Sequence, residues 1–124
     1  MNTAQLRGPK FAELTALYLK ANGAPGARTR PRQKLSEAVL DDAASSADVQ
    51  GVGDFHVVTR GSYSMAAHLS VTLDQAESRA RAEGKPWPVL VWFRRERPAA
   101  QSYAVMTLST LAEIMAEIQN QKVA

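Results

Sequence analysis

The segment "PVLVWFRR" at residues 88–95 constrains the fold more than any other. Its near-continuous apolar run predicts a strand covered on both faces, which requires a sheet with layers packed on either side. A second strand, "SYAVMTL" (102–108), follows the short loop "ERPAA". Upstream, "VQG" and "FHVVTR" flank the turn signal "VGD", the pattern of two antiparallel strands. In the second of these, Phe55, Val57 and Thr59 face one way and His56, Val58 and Arg60 the other.

Three helices are predicted around these strands. In "GPKFAELTALYLKANG", Phe11, Leu14, Leu17, Tyr18 and Ala21 recur at helical spacing, with Pro9 suited to the first turn and Gly23 to the C-terminal cap. "TLDQAESRARAEGK" opens on Thr72 and Gln75 as a capping box and stops at Gly84, with a thin apolar face of Leu73, Ala76 and Ala80. "STLAEIMAEIQNQ" carries Leu111, Ile114, Met115 and Ile118 as its buried face. The stretch "GSYSMAAHLS" reads as a linker, "GARTRPR" as an extended edge containing Pro31, and residues 33–46 as a flexible loop or short helix. The expected architecture is α/β, a single domain over residues 1–124 with one mixed β-sheet flanked by helices.

Composition narrows the function classes. Cysteine is absent, which excludes disulfides, thiolate nucleophiles and cysteine-ligated zinc. His56 and His68 have no zinc spacing, there is no glycine-rich phosphate loop, and no serine sits in a nucleophile elbow. No apolar stretch reaches the roughly 20 residues that span a bilayer, and the N-terminus lacks a signal-peptide apolar region, so a cytoplasmic location is expected and no membrane partner. The net charge of +3 is mild but unevenly spread. Arg28, Arg30, Arg32 and Lys34 alternate along one run, and Arg94, Arg95 and Arg97 cluster in another. Arginine makes bidentate bonds to phosphate, so Arg28, Arg30, Arg32, Arg94 and Arg95, with Arg60, are candidates to line a DNA-binding groove. Trp87, Trp92, Tyr63 and Tyr103 can stack on bases, although strand positions for the tryptophans favour a packing role.

Taken in order, the opening helix, "ADVQG", the strand ending "VVTR", the "LDQAE" helix, "PVLVWFRR" and "YAVMTL" resemble the small Holliday junction resolvase-like proteins of actinobacterial phages and prophages. Those belong to the PD-(D/E)XK nuclease superfamily, with a restriction-endonuclease-like core, and the resemblance runs from about Gly8 to Met115. It implies an acid in the first helix, for which Glu13 is the nearest candidate although the usual place is closer to Ala12. It makes Asp48 in "DVQG" the metal-binding aspartate, and Gln75 a supporting polar residue on the helix. Val58-Thr59-Arg60 falls where an acid-x-Lys triplet belongs. Valine cannot ligate magnesium, which takes oxygen ligands, and arginine keeps its proton near neutral pH.

Asp54 lies four residues before Val58, roughly 13 Å along a strand, too far to take the missing acid's place. Glu37, Asp41, Asp42, Asp74 and Glu77 are the other acids that could have migrated. The expectation is a DNA-binding protein with a degenerate catalytic site and no metal. The alternatives are an active structure-selective endodeoxyribonuclease using Mg or Mn, and a phage accessory or inhibitor protein that binds a protein partner. The resemblance further implies DNA, branched DNA included, and a second copy of the chain as partners.

Overall fold

The computed structural model describes residues 9–30, 47–61 and 65–123 of the 124-residue chain. In chain order the elements are α1 (Pro9–Ala21), β1 (Arg28–Thr29), β2 (Val49–Gln50), β3 (Phe55–Arg60), α2 (Met65–Ala82), β4 (Trp87–Trp92), a 3-10 turn (Ala99–Gln101), β5 (Tyr103–Val105) and α3 (Leu108–Val123). The strands form one mixed sheet in the order β1-β2-β3-β4-β5. β2 is antiparallel to both β1 and β3, β4 runs parallel to β3 with Phe55 opposite Trp87 and Arg60 opposite Trp92, and β5 is antiparallel to β4. The α2 crossover supplies the long connection that a parallel pair needs.

Strand alternation divides the core between two faces. Val49 and Val57 pack with Ala16 of α1, and Val91 borders that cluster. Val58 and Leu90 pack with Ala76 of α2, supported by Leu69, Leu73, Trp92 and Val105. The chain is therefore α/β with helices on both faces of a mixed sheet, as its apolar periodicities predict. Pro88 lies inside β4, where a missing N–H would break a ladder, but β5 pairs only from Leu90 onward, so no partner on that side is lost.

The helix ends follow their residues. At α1, Gly23 takes φ +130° and Ala24 N–H donates to Leu19 O at 2.8 Å, closing a Schellman cap. At α2, Gly84 takes φ +70° and Lys85 N–H donates to Ala80 O at 2.8 Å in the same way. Thr107 caps α3, its Oγ1 accepting from Thr110 N–H at 3.3 Å.

Four expectations need correction. The segment read as a linker is helical from Met65, so Thr72 and Gln75 lie inside α2 rather than capping it. Leu69 extends the Leu73–Ala76–Ala80 face by one turn, and the Met-Ala-Ala residues before it are good helix formers. The strand expected over 102–108 is only Tyr103–Val105, because Thr107 starts the last helix. On α1 the buried residues are Phe11, Ala12, Thr15 and Ala16, whereas Leu17, Tyr18 and Ala21 are exposed. Small residues let the helix approach the sheet closely, and the Thr15 hydroxyl donates to Phe11 O at 2.8 Å. On α3 the buried residue is Thr110 and Ile114 is half-buried, while Leu111, Met115 and Ile118 face solvent. A three-residue edge strand leaves little sheet for that helix to cover. The loop at 33–46, with Arg32, Glu37, Asp41 and Asp42, and Tyr63 lie outside the described residues.

Candidate functional site

The strand directions collect four chain positions at one end of the sheet. β3 and β4 both run toward that end, finishing at Arg60 and Trp92. β2 starts there just after Asp48, and β1 finishes there at Thr29, because Thr29 pairs with Val49 and Arg28 with Gln50. Backbone bonds tie the ends together. Arg30 N–H donates to Asp48 O at 3.1 Å, Asp48 N–H to Val57 O at 2.9 Å, and Phe93 N–H to Arg60 O at 2.9 Å.

Asp48 is the centre of this end. Its Oδ2 accepts the Thr59 N–H at 2.8 Å and lies 3.2 Å from Arg60 Nη1 and 3.5 Å from Thr59 Oγ1. The carboxylate thus takes an N–H that a regular ladder would give to a backbone carbonyl. Arg60 Nη1 also donates to Thr59 O at 2.7 Å, which fixes the guanidinium across the strand end. Asp48 and Arg60, the two residues singled out at this strand, are in direct contact.

Val58 is 4% exposed and turned into the Ala76–Leu90 cluster, so position 58 offers the site no polar group. Gln75 is exposed on α2, and Glu13 is exposed on α1, where it pairs with Lys10 at 3.7 Å; neither makes a described contact with Asp48. Asp54 and Glu77 line a cleft at the opposite end of the sheet with Arg81, Lys85 and Glu113. That excludes Asp54 and Glu77 as migrated partners of Asp48. Among the described residues no group of three or more His, Cys, Asp or Glu side chains is arranged to hold a metal ion. Among the described residues the donors at Asp48 do not make a site for Mg or Mn: Asp48 is the one carboxylate there, and a cation bound to its Oδ2 would sit beside the Arg60 guanidinium.

The arginines divide. Arg30, Arg60, Arg94 and Arg95 lie at or just beyond the ends of β1, β3 and β4, spread over three strand spacings, about 14 Å. Arg94 is held over the Tyr103 ring, its Cζ 4.7 Å from the centroid, a cation–π contact that fixes the guanidinium without neutralising it. Tyr103 in turn meets Trp92 edge-on at 5.7 Å. Arg95 Nε lies 4.0 Å from the exposed Glu96 carboxylate. Arg28 is at the other end of β1, its Nη1 donating to Gly26 O at 3.4 Å, and does not join this rim.

The base of the rim is set by Phe11, which stacks on Phe93 with centroids 4.5 Å apart. Gly61 makes this stack possible, since a Cβ there would overlap the Phe11 ring. Sequence reasoning missed Thr59 as a ligand of Asp48 and Tyr103 as the platform for Arg94. The signal for Thr59 was its place between Val58 and Arg60, and Tyr103 left no comparable signal. Trp87 packs on Phe55 at 5.0 Å and Trp92 on Tyr103, which accounts for both tryptophans.

In comparisons with family models, curated proteins and solved structures, nothing matches this chain. No helix among the described residues is long and apolar enough to cross a membrane.

Proposed function

We propose that the protein binds DNA through the arginine rim and that its nuclease-like site is catalytically degenerate. The observation that carries this reading is the closure of Asp48 by Arg60 and Thr59 at the centre of a row of arginines. Arg60 supplies at Asp48 a fixed positive charge that holds the two strand ends together. The row at Arg30, Arg60, Arg94 and Arg95 covers about 14 Å, a length over which one DNA strand presents about four phosphates. Because phosphate contacts carry no sequence information, the expected binding is weakly sequence-dependent and strongly salt-dependent.

The segments that carry the resemblance to junction resolvases take up, in chain order, a helix, two antiparallel strands, a helix and two further strands. That order supports a resolvase-like, PD-(D/E)XK-type core and, with it, branched DNA as the preferred ligand. The burial of Val58 in an apolar cluster supports loss of the metal chemistry.

The test is fluorescence anisotropy with a labelled four-way junction and a matched duplex over a salt series, beside a cleavage assay with Mg or Mn. The expected result is junction-preferring binding without cutting. The Arg30→Ala, Arg60→Ala, Arg94→Ala triple variant is expected to lower the log–log salt slope by about 0.9 for each phosphate contact removed. Metal-dependent cutting that disappears in Asp48→Ala would overturn the degenerate-site reading in favour of an active endonuclease. Absence of any DNA binding at moderate salt would leave a protein-binding accessory role instead.

A further inference from the structure

One row of side chains crosses the rim end of the sheet on a single face. Arg60 of β3 stands opposite Trp92 of β4, and Trp92 opposite Tyr103 of β5. Directly opposed residues share a face, so the three lie side by side over two strand spacings, about 10 Å. Two residues inward on the same face are Val58, Leu90 and Val105, which pack with Ala76, Leu69 and Leu73 of α2. Beyond that cluster the surface opens: the Arg60 side chain is 40% exposed and Tyr103 is 46% exposed. Arg94, two residues past Trp92, lies over the Tyr103 ring, while Trp92 meets that ring edge-on. No carboxylate pairs with Arg94 among the described residues.

Core packing does not account for Tyr103. β5 has three residues and ends the sheet, so the ring stays half in water there. What the ring does is hold the Arg94 guanidinium with its charge intact, across Trp92 from a second guanidinium, that of Arg60. A flat π surface set among fixed positive charges suits a single nucleic-acid strand: the charges meet phosphates and the π surface takes a base. Guanidinium planes receive stacked bases as aromatic rings do.

We infer that the Arg94–Tyr103 stack takes an unpaired base, so that the ligand of the rim is DNA with unpaired nucleotides beside a duplex, as at a forked end. The inference rests on the rim binding DNA, and it adds a selectivity that phosphate contacts alone do not supply. In a continuous duplex both faces of every base are covered by its neighbours, and the stack has nothing to receive. An unpaired base offers a free face, while phosphates of the same strand meet Arg60. Every base has a π face, so the selectivity is for structure and not for sequence.

Anisotropy titrations of the full chain at one salt concentration test it, with a labelled forked duplex and a fully paired duplex carrying equal numbers of phosphates. The wild type is expected to bind the fork about 5- to 100-fold more tightly, the contribution of one stacked base. A 2-aminopurine at the first unpaired position is expected to lose fluorescence on binding as it stacks. Tyr103→Leu is expected to bring the fork-to-duplex ratio close to one, and Tyr103→Phe to retain it. Arg94→Lys keeps the charge and gives up the planar surface, so it is expected to lower the ratio as well, and it gives this readout even where Tyr103→Leu fails to fold. Equal wild-type affinity for the two ligands overturns the stacking and leaves the rim in place, as does a ratio unchanged in Tyr103→Leu and Arg94→Lys. Binding to neither ligand overturns the rim and the stacking together.

Discussion

Removing the Asp48 carboxylate separates a strand clamp from a metal ligand. In Asp48→Ala, the N–H of Thr59, a residue 5% exposed, loses its acceptor, and an unsatisfied buried donor costs about 1–3 kcal/mol. The Arg60 contact adds little, because the Arg60 side chain is 40% exposed and an exposed pair contributes about 0–1 kcal/mol. The expected loss is thus about 1–4 kcal/mol, centred near 2 kcal/mol. Asp48→Asn keeps an acceptor for Thr59 and gives up only the ionic part, about 1 kcal/mol or less, as does Arg60→Ala. Urea unfolding followed by circular dichroism resolves these values. With a slope of about 1–3 kcal/mol per molar for a chain of this size, Asp48→Ala should lower the midpoint by roughly 1 M. The order Asp48→Ala, then Asp48→Asn and Arg60→Ala together, is the signature of the clamp. Asp48→Ala within about 0.5 kcal/mol of wild type, or Asp48→Asn as costly as Asp48→Ala, would refute it. The same variant also frees the Arg60 guanidinium, so metal-free DNA binding by folded Asp48→Ala should tighten rather than weaken.

Two further changes probe the surroundings. Val58→Asp puts an unpaired carboxylate among Ala76, Leu90 and Leu73, and is expected to cost about 3–5 kcal/mol in thermal melting without creating metal-dependent cleavage. An unchanged melting temperature would mean that position 58 is open to water. Thr107→Ala removes the cap on α3 and should cost about 1 kcal/mol, with faster amide exchange at Thr110 and Leu111. Protection unchanged at those two amides would show that the Thr107 hydroxyl does not hold the helix start.

Much of the fold was legible because single residues carry it. Pro9, Gly23 and Gly84 mark helix ends by backbone constraint alone, and the alternation in "FHVVTR" splits Val57 from Val58 before any packing is known. The face of α1 was not legible, because large apolar residues look more buried than the Ala12, Thr15 and Ala16 that let two backbones come close. Nor was the start of α2, since from Met65 to Ser70 only Leu69 continues the apolar stripe of Leu73, Ala76 and Ala80. The site was half legible. Asp48 and Arg60 stand out in the sequence, but Arg28 and Arg30 alternate identically there. Only the folded chain shows that the Arg30 N–H bonds Asp48 O while the Arg28 side chain turns back to Gly26 O.

Both margins of the sheet are very short. β1 has two residues, followed closely by Pro31, and β5 has three, ended by the Thr107 cap. An outer strand of that length offers too few free N–H and C=O groups to recruit another chain by strand addition, which is how edge strands seed aggregation. Any contact this protein makes with another chain is thereby left to side chains, where a single substitution can tune it. A concentrated sample should accordingly stay free of β-rich fibrils.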